Sequence, residues 1–441
     1  MQADRPFLIR VCLYAIFISI LAYIQYYTAR HESTQLILAY SVIFLMYVFL
    51  LKCDIINWKE IFIVAIIARL SLFFELPNLS DDFYRFIWDG QLLVEGINPF
   101  KHIPEFYMSS NLQVNGLTAE LYELLNSKSY FTIYPPISQF IFWLSVKLNP
   151  TESFLTSVNI MRGIILLSEI GSLLIIKRLL TIHNLSDQKL LIYALNPLVI
   201  LELTGNLHFE AIMVFFLLLA VYLFYNEKTK LSAIAIGASI ATKLIPLMLL
   251  PIFIKRHKKY FIFYLTVSLS LILFFLPLLN EEFIQGISRS LSLFFRSFEF
   301  NGSLFFLLRE IGFFIKGYDM VSSVGPVMSL VALLIILGIS FLKVNHKTQL
   351  ESVFILIMFT QLLFATTVHP WYIIPMIAFS AMTKFNFPII WSYFIFLTYS
   401  GYTSTGFNHP LGIILLEYTI IISIALVEIH NYLKNQKLQH V

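Results

Sequence analysis

Two apolar runs near the N-terminus decide the fold: FLIRVCLYAIFISILAYIQYY at residues 7–27 and QLILAYSVIFLMYVFLL at residues 35–51. An α-helix rises about 1.5 Å per residue, so a run of about 20 residues crosses a hydrocarbon core of about 30 Å. Lipid offers no hydrogen-bond partners, and only helices and closed barrels satisfy their own backbone groups. The sequence lacks the alternating segments that a barrel needs. The two runs therefore predict transmembrane helices.

The same pattern continues along the chain. Of the 441 residues, 58% are hydrophobic and only 13% are charged, whereas a soluble domain carries about 25% charged residues. Further clear runs lie at 60–76, 158–177, 190–204, 208–225, 259–279, 320–342, 349–368, 387–402 and 410–430. Shorter pieces lie at 137–148, 231–242, 244–254 and 371–383. The pattern predicts one all-α domain over residues 1–441, a polytopic transmembrane bundle of about 11–14 membrane segments.

Several other classes of protein are disfavoured. Arg5 precedes the first run and Arg10 lies near its start, as in a signal peptide, but the run is long and lacks a small-residue cleavage site, so we interpret it as a retained span. Cys12 and Cys53, the two cysteines, suggest no disulfide framework or zinc site. No G-x-G-x-x-G or P-loop string occurs, and we expect no nucleic-acid partner.

The distribution of basic residues predicts the orientation, because cytoplasmic loops are enriched in lysine and arginine. All the basic clusters can be cytoplasmic if 137–148 does not cross the membrane and if 231–254 enters the membrane and returns to the side from which it started. Two long loops, at 77–136 and 280–319, are then outside, and the second is predicted to lie in the membrane interface. The basic clusters contain Lys52, Lys59, Lys177, Arg178, Lys189, Lys228, Lys230, Lys255, Arg256, His257, Lys258, Lys259, Lys343, His346, Lys347, Lys434 and Lys437.

The first outer loop opens with SDDFYRFIWDG at residues 80–90 and continues to GINPF at 96–100. Ser80 is a favourable N-cap, which would place Asp81 and Asp82 in the first turn of a helix from Asp81 to Glu95. Arg85 and Asp89 then share a face with Asp81. One interpretation is a capped interfacial helix whose acids favour the helix dipole. The alternative is a carboxylate at the outer edge of the membrane that acts as a base or a metal ligand.

The motif at 80–100 resembles the GT-C superfamily of polyprenyl-phosphate-sugar-dependent glycosyltransferases, and within it the bacterial mannosyltransferase-like branch. Four further strings agree with the family in order and spacing: YPPISQ at 134–139, GNLHFEA at 205–211, ATKLIP at 241–246 and HPWY at 369–372. The resemblance spans roughly residues 60–380. Its first motif is fairly specific, whereas each of the others is weak by itself.

The resemblance implies a lipid-linked sugar donor, an outer active site in the cell membrane and inversion at the anomeric carbon. It implies that Asp81 and Asp82 are the catalytic pair without deciding which one is the base. A carboxylate can take the proton of the attacking hydroxyl, and cations must face the polyprenyl phosphate that departs. The sugar is left open, with mannose implied by the resemblance. The acceptor is expected to be a lipid-linked or envelope glycan or a glycolipid. A divalent cation, Mg or Mn, at Asp81 and Asp82 is an open alternative.

Candidate residues for the remaining roles are scattered along the chain. Residues predicted to bind the donor phosphate are Arg85, Lys243, Arg296, His369 and His208. Residues predicted to bind the sugar or the acceptor are Trp88, Asp89, Tyr134, Glu210, Lys101 and His102. For Lys243 the alternative is a lysine that extends to the interface, and for the aromatic residues it is membrane anchoring. Glu169 and Arg162 lie two turns apart and are predicted to form a buried structural pair.

Two rival functions remain from the sequence. An envelope polysaccharide ligase or polymerase is also polytopic, but it does not need an acid pair directly after an early span. A transporter places its acids near the bilayer midplane, whereas here they cluster at an outer edge.

Overall fold

The computed structural model describes residues 5–53, 56–110, 112–256, 259–318, 321–341 and 350–438. Among the basic residues used to predict the orientation, His257, Lys258, Lys343, His346 and Lys347 lie outside these ranges.

The fold is all-α, as predicted. The helices are α1 (Arg5–Tyr27), α2 (Ser33–Leu51), α3 (Trp58–Leu70), α4 (Asp82–Val94), α5 (Pro104–Ser109), α6 (Ala119–Glu123), α7 (Pro136–Lys147), α8 (Phe154–Ile182), α9 (Leu191–Ala194), α10 (Pro197–Val199), α11 (Glu210–Tyr225), α12 (Thr229–Thr242), α13 (Phe253–Arg256), α14 (Tyr260–Phe275), α15 (Glu281–Arg296), α16 (Leu304–Lys316), α17 (Val321–Ser340), α18 (Leu350–Phe364), α19 (Ile374–Ser380), α20 (Phe387–Phe394) and α21 (Leu411–Leu438). A short antiparallel hairpin joins β1 (Tyr402–Thr403) to β2 (Gly406–Phe407).

By length and composition, four helices of the described chain can cross a membrane. They lie at Leu8–Tyr27, Ser33–Leu51, Val321–Ser340 and Leu411–Asn435, and a fifth candidate is the pair Pro197–Gly205 and Glu210–Tyr225, bent by 116°. Shorter apolar helices supply other parts of the bundle. The predicted runs at 190–204 and 387–402 are helical but not continuous, because each is divided into short helical pieces. The bundle is therefore polytopic, with broken segments inside it.

The break before α11 has a local cause. Asn196 accepts hydrogen bonds from the backbone N–H groups of Leu198 and Val199, and Pro197 begins α10, so the helix restarts there. A π-helical turn, Ile200–Gly205, follows and ends in a turn where Leu207 has a φ of 67°. Such turns are common at functional sites because they redirect side chains.

Two buried arginines hold this irregular backbone. Arg162 Nε donates to the carbonyl of Thr204 at 3.0 Å, and its Nη2 donates to that of Gly205 at 2.9 Å. Glu169 pairs instead with Arg69, whose Nε lies 2.8 Å from its carboxylate. The predicted Arg162–Glu169 pair is therefore wrong, because Arg162 is needed by the carbonyl groups that the π turn leaves without helical partners.

The two long loops, at 77–136 and 280–319, contain helices. In the first, α4 packs closely on α7, and a Cβ added to Gly90 would lie 2.5 Å from the carbonyl oxygen of Phe142, so this approach requires glycine. The sequence predicts a second helix in this loop, from Leu117 to Ser127, and the helix that forms, α6, is shorter and spans Ala119–Glu123. The second loop consists of the amphipathic helix α15 and of α16. Ser290 of α15 donates to the carbonyl groups of Phe131 and Thr132, which ties the second loop to the first.

Candidate active site

The acidic motif lies at the start of α4. Asn78 Nδ2 donates to the carbonyl of Ile24 at 2.8 Å and fixes the preceding turn against α1. The predicted N-cap at Ser80 is displaced by one residue: Asp81 occupies the cap position, and Ser80 Oγ accepts a hydrogen bond of 3.4 Å from the N–H of Asp82. Both acids therefore lie at the positive end of the helix dipole, as predicted.

The two acids have different partners. Asp81 Oδ2 lies 2.6 Å from Arg30 Nη2. Asp82 Oδ1 accepts a hydrogen bond of 2.9 Å from Asn126, and the hydroxyl of Tyr134 lies 3.5 Å from its Oδ2. Asp81 is thus held by a cation, whereas the groups that contact Asp82 are uncharged.

Tyrosine hydroxyls surround these acids. Burial raises the pKa of Tyr134 well above its usual value, and the charges of Asp82 and Glu210 raise it further. Burial also raises the pKa of Tyr402 to about 12, although the Arg30 guanidinium, 4.5 Å above its ring, opposes the shift. Both hydroxyls keep their protons at neutral pH, so both remain hydrogen-bond donors.

A lysine–glutamate pair faces the same region. α12 ends at Thr242, and the extended backbone of Lys243 directs its side chain toward the start of α11, where Nζ lies 2.5 Å from Glu210 Oε1. The ammonium group lies 5.6 Å from the ring centre of Tyr134 and 6.0 Å from that of Tyr372. Glu210 Oε2 has no hydrogen-bond partner among the described residues. Two loops far apart in sequence thus bring a cation to the tyrosine that contacts Asp82.

A stack of rings forms the next part of the region. His208 lies on Trp371 with 3.6 Å between ring centres, and His369 lies parallel to Trp371 at 4.5 Å. Phe300, from the loop at 280–319, lies 4.5 Å from His369 between ring centres. Burial lowers the pKa of His369 to about 3, and the nearby His208 and Lys243 add to the effect. His369 is therefore neutral at physiological pH and can offer a hydrogen bond to a phosphate but no positive charge.

One buried acid was not predicted. Glu202, in the π-helical turn, is fully buried and accepts hydrogen bonds from Tyr399 at 2.8 Å and Asn206 at 3.1 Å. His208 Nε2 lies 3.4 Å from its carboxylate without forming a hydrogen bond to it. A glutamate inside an apolar run was the signal that could have indicated it, since such acids are expensive in a membrane and are usually functional. No pattern in a single sequence marks Arg30, Asn126 or Tyr399.

Three predicted site residues belong to a structural network instead. Arg85 is 4% exposed, donates to Asp89 at 2.8 Å and also bonds the carbonyl of Tyr130 at 2.9 Å. Asp89 is fully buried and also accepts a hydrogen bond from Gln139. Trp88 is fully buried on the same helix. These contacts hold Arg85 and Asp89 within the first loop and bury Trp88 there, and the predicted phosphate contact of Arg85 and sugar contacts of Trp88 and Asp89 stay predictions.

Other predicted contacts lie away from Asp82 or behind other groups. Lys101 is half-exposed and lies 3.7 Å from Glu282 of α15, and His102 stacks on Phe106. Arg296 is exposed at the last turn of α15. His208 is 1% exposed and stacks on Trp371, and its predicted contact with the donor phosphate stays a prediction. The predicted residues that the fold does bring together are Asp81, Asp82, Tyr134, Lys243, Glu210 and His369.

The sequence left open whether Asp81 and Asp82 bind a divalent cation. Within the described ranges, no group of three or more histidine, cysteine or acidic side chains is placed to hold a metal ion. Asp81 is already paired with Arg30, whose positive charge competes with a metal ion for the same carboxylate. The residues present therefore fit a metal poorly, and the mechanism below uses none.

The Glu202 network leads to a stability prediction. Tyr399→Phe removes a hydrogen bond to a buried carboxylate, a loss of about 1.5–3 kcal/mol, and we expect a clearly lower melting temperature of the purified protein. Tyr393→Phe is the matched control, because its hydroxyl lies 3.1 Å from the uncharged Ser41 and the expected loss is only about 1 kcal/mol. Equal melting temperatures for the two variants would show that the Tyr399 bond does not stabilise Glu202.

A polytopic bundle that gathers carboxylates, a lysine and stacked aromatic rings around one region has the groups that a membrane glycosyltransferase requires. The comparison with protein families gives the class directly. A family model described as "Alpha-(1->6)-mannopyranosyltransferase, N-terminal domain" matches residues 17–256, more than half of the chain. The chain belongs to this family, and it is a glycosyltransferase of the mannosyltransferase type. This result removes the transporter and the polymerase from consideration.

The matched residues include the acidic motif, the Tyr134 loop and the Lys243–Glu210 pair, whereas the His369 segment lies beyond them. No curated protein matches the chain.

Proposed function

We propose that the chain transfers a mannosyl residue from a polyprenyl-phosphate donor to a hydroxyl group of a lipid-linked or envelope glycan, with inversion, at the outer face of the cell membrane. The proposal rests on the position of Asp82 at the N-terminus of α4. Tyr134 lies between Asp82 and the Lys243–Glu210 pair: its hydroxyl contacts Asp82, and its ring centre lies 5.6 Å from the ammonium group of Lys243. This places a proton acceptor and a cation near one another, as an attacking hydroxyl and a leaving phosphate require.

Asp82 is the proposed general base. Its contacts with Asn126 and Tyr134 orient the carboxylate without neutralising it. Asp81 is proposed as a positioning residue, since its ion pair with Arg30 anchors the start of α4 to the loop after α1. The sequence did not distinguish Asp81 from Asp82, and the proposal gives them separate roles as positioning residue and base.

The reaction is a single displacement. The acceptor oxygen forms a bond to the anomeric carbon while the bond from that carbon to the phosphate oxygen breaks, and the acceptor proton passes to Asp82. The leaving polyprenyl phosphate gains negative charge in the transition state. Because attack and departure occur on opposite sides of the carbon, the anomeric configuration inverts.

Lys243 is proposed to receive the leaving phosphate. Its ammonium group has three donors, and Glu210 occupies one of them. The side chain is 13% exposed, so the charge acts in a region of low dielectric where it is worth more than in water. The neutral His369 can donate a further hydrogen bond to the phosphate. Arg296, at the exposed end of α15, is proposed to meet the donor phosphate as the lipid enters from the interface.

The outer location rests on the direction of α11. This helix of 16 residues starts at Glu210, beside Lys243, and ends at Tyr225, before the turn that precedes the basic residues Lys228 and Lys230. Sixteen residues span about 24 Å, which is close to the thickness of the hydrocarbon core. Because basic ends are cytoplasmic, the region around Asp82 is assigned to the outer face.

The test uses membranes that contain the protein, incubated with a panel of polyprenyl-phosphate sugars and with nucleotide sugars. We expect the mannosyl polyprenyl phosphate to be consumed, the nucleotide-linked mannose to be left unchanged, and the anomeric configuration of the product to be opposite to that of the donor. Consumption of the nucleotide sugar alone would contradict the proposed donor, and retention of configuration would contradict the single displacement. Membranes with the Asp82→Asn variant provide the control.

A further inference from the structure

A basic cavity lies at the opposite end of the bundle, where α11 turns into α12. The cavity has a volume of about 280 Å³ and is lined by Glu227, Lys228, Thr229, Lys230, Leu231, Lys259 and Ile262. Three of these residues carry a positive charge and one a negative charge. An excess of positive charge at a span end therefore faces this cavity.

The backbone of the turn adds to this charge. Glu227 has a φ of 57°, which makes the connection between α11 and α12 tight. The N-cap of α12 is Lys228, whose side chain makes no capping hydrogen bond among the described residues and has no acceptor atom. The N–H of Thr229 donates to the carbonyl of Glu227 at 3.0 Å, and the helix dipole favours a negative ligand near the N–H groups that follow it.

Apolar surface continues from the cavity toward the membrane. Leu231 and Ile234 of α12 are 53% and 42% exposed, and Phe261 and Leu265 of α14 are 71% and 49% exposed. A ligand with both an anionic head and a hydrocarbon tail would bury this surface. A small free anion would contact the lysines but leave these exposed apolar side chains uncovered.

We propose that this cavity binds an anionic phospholipid of the cytoplasmic leaflet, with its phosphate on Lys228 and Lys230 and an acyl chain along the exposed faces of α12 and α14. Charge complementarity selects an anionic lipid over a zwitterionic one, because juxtamembrane lysines are attracted to anionic headgroups. The cavity lies one helix length from Asp82, so this lipid is distinct from the sugar donor.

The test measures lipids retained by the full-length protein after purification from vesicles of equal parts phosphatidylglycerol and phosphatidylcholine, by native mass spectrometry. We expect wild type to retain phosphatidylglycerol selectively. The Lys228→Ala/Lys230→Ala variant should bind it about 25-fold more weakly, on the order of fivefold for each lysine. The Lys228→Arg/Lys230→Arg variant should retain it and shows that the turn still folds.

Lys384→Ala/Lys434→Ala is the control, because both of these lysines are exposed and the variant loses the same net charge. Equal losses in the two alanine variants would overturn the proposal in favour of general surface charge. Equal retention of phosphatidylcholine by wild type would also overturn it, and so would displacement of the bound lipid by inorganic phosphate alone. The measurement involves no sugar transfer, so its outcome is independent of the proposed reaction.

Discussion

Replacing Asp82 by asparagine should lower the rate of mannosyl transfer by about 10²–10⁴-fold, the usual contribution of a general base. Asparagine has the same shape and can still bond Asn126 and Tyr134, but it cannot take a proton from the acceptor hydroxyl. The lost charge at the start of α4 costs only about 0.3–1 kcal/mol, so the melting temperature should change little. The rate is measured with saturating donor and acceptor, alongside thermal unfolding of the purified protein.

Asp81→Asn is the matched control, one residue away and with the same chemical change. It breaks an ion pair whose side chains are 29% and 39% exposed, and such pairs contribute about 0–1 kcal/mol. We expect at most about a tenfold loss of rate, because a factor of ten corresponds to about 1.4 kcal/mol of barrier. If Asp81→Asn were inactive and Asp82→Asn active, the base would be Asp81. Full activity in both would remove the catalytic motif from the mechanism.

The second large effect is expected at Lys243. Lys243→Ala removes the cation proposed to face the leaving phosphate, and the loss of one such group costs about 10²–10³-fold in rate. The same change leaves the buried Glu210 carboxylate without its partner, which destabilises the protein by about 3–5 kcal/mol. Lys243→Ala alone therefore cannot distinguish the loss of a catalytic contact from a loss of protein stability.

The double variant Lys243→Ala/Glu210→Gln separates the two effects, because it removes both charges of the pair. We expect its melting temperature to return toward that of the wild type while transfer stays about 10²–10³-fold reduced. Lys243→Arg, which keeps the charge, should recover part of the rate. A double variant with wild-type turnover would show that Lys243 acts only as the partner of Glu210.

Local patterns predicted much of this protein. The apolar runs established an all-α membrane bundle, and the acidic motif predicted α4 to within about one residue of each end. The short motifs around Tyr134, Glu210, Lys243 and His369 also fall in one region, although they lie far apart in the chain. Two apolar runs are divided into short helical pieces. In 190–204 the pair Asn196 and Pro197 is the signal for a helix restart, whereas in 387–402 the α-helix ends at Phe394 without such a pair.

The sequence did not predict which distant residues pair with one another. Arg85 and Lys243 both looked like cations for a phosphate, yet Arg85 is enclosed by Asp89 and backbone carbonyl groups while Lys243 faces Tyr134. Arg162 and Glu169 have helical spacing that suits a pair, but the carbonyl groups of the π turn and Arg69 take their places. Spacing along one helix says which residues share a face, but not which neighbouring helix covers that face.

The sequence by itself determined the membrane-spanning character of the chain, its helical fold and the acids at the start of α4, because hydrophobicity and helix capping act over a few consecutive residues. Only the tertiary structure decided that Arg30 holds Asp81, that Asp82 faces Tyr134 and that the buried Glu202 bonds Tyr399. The reason is that these ion pairs and hydrogen bonds join residues 51 to 197 positions apart in the chain, and the distances between them are set by how the broken helices pack.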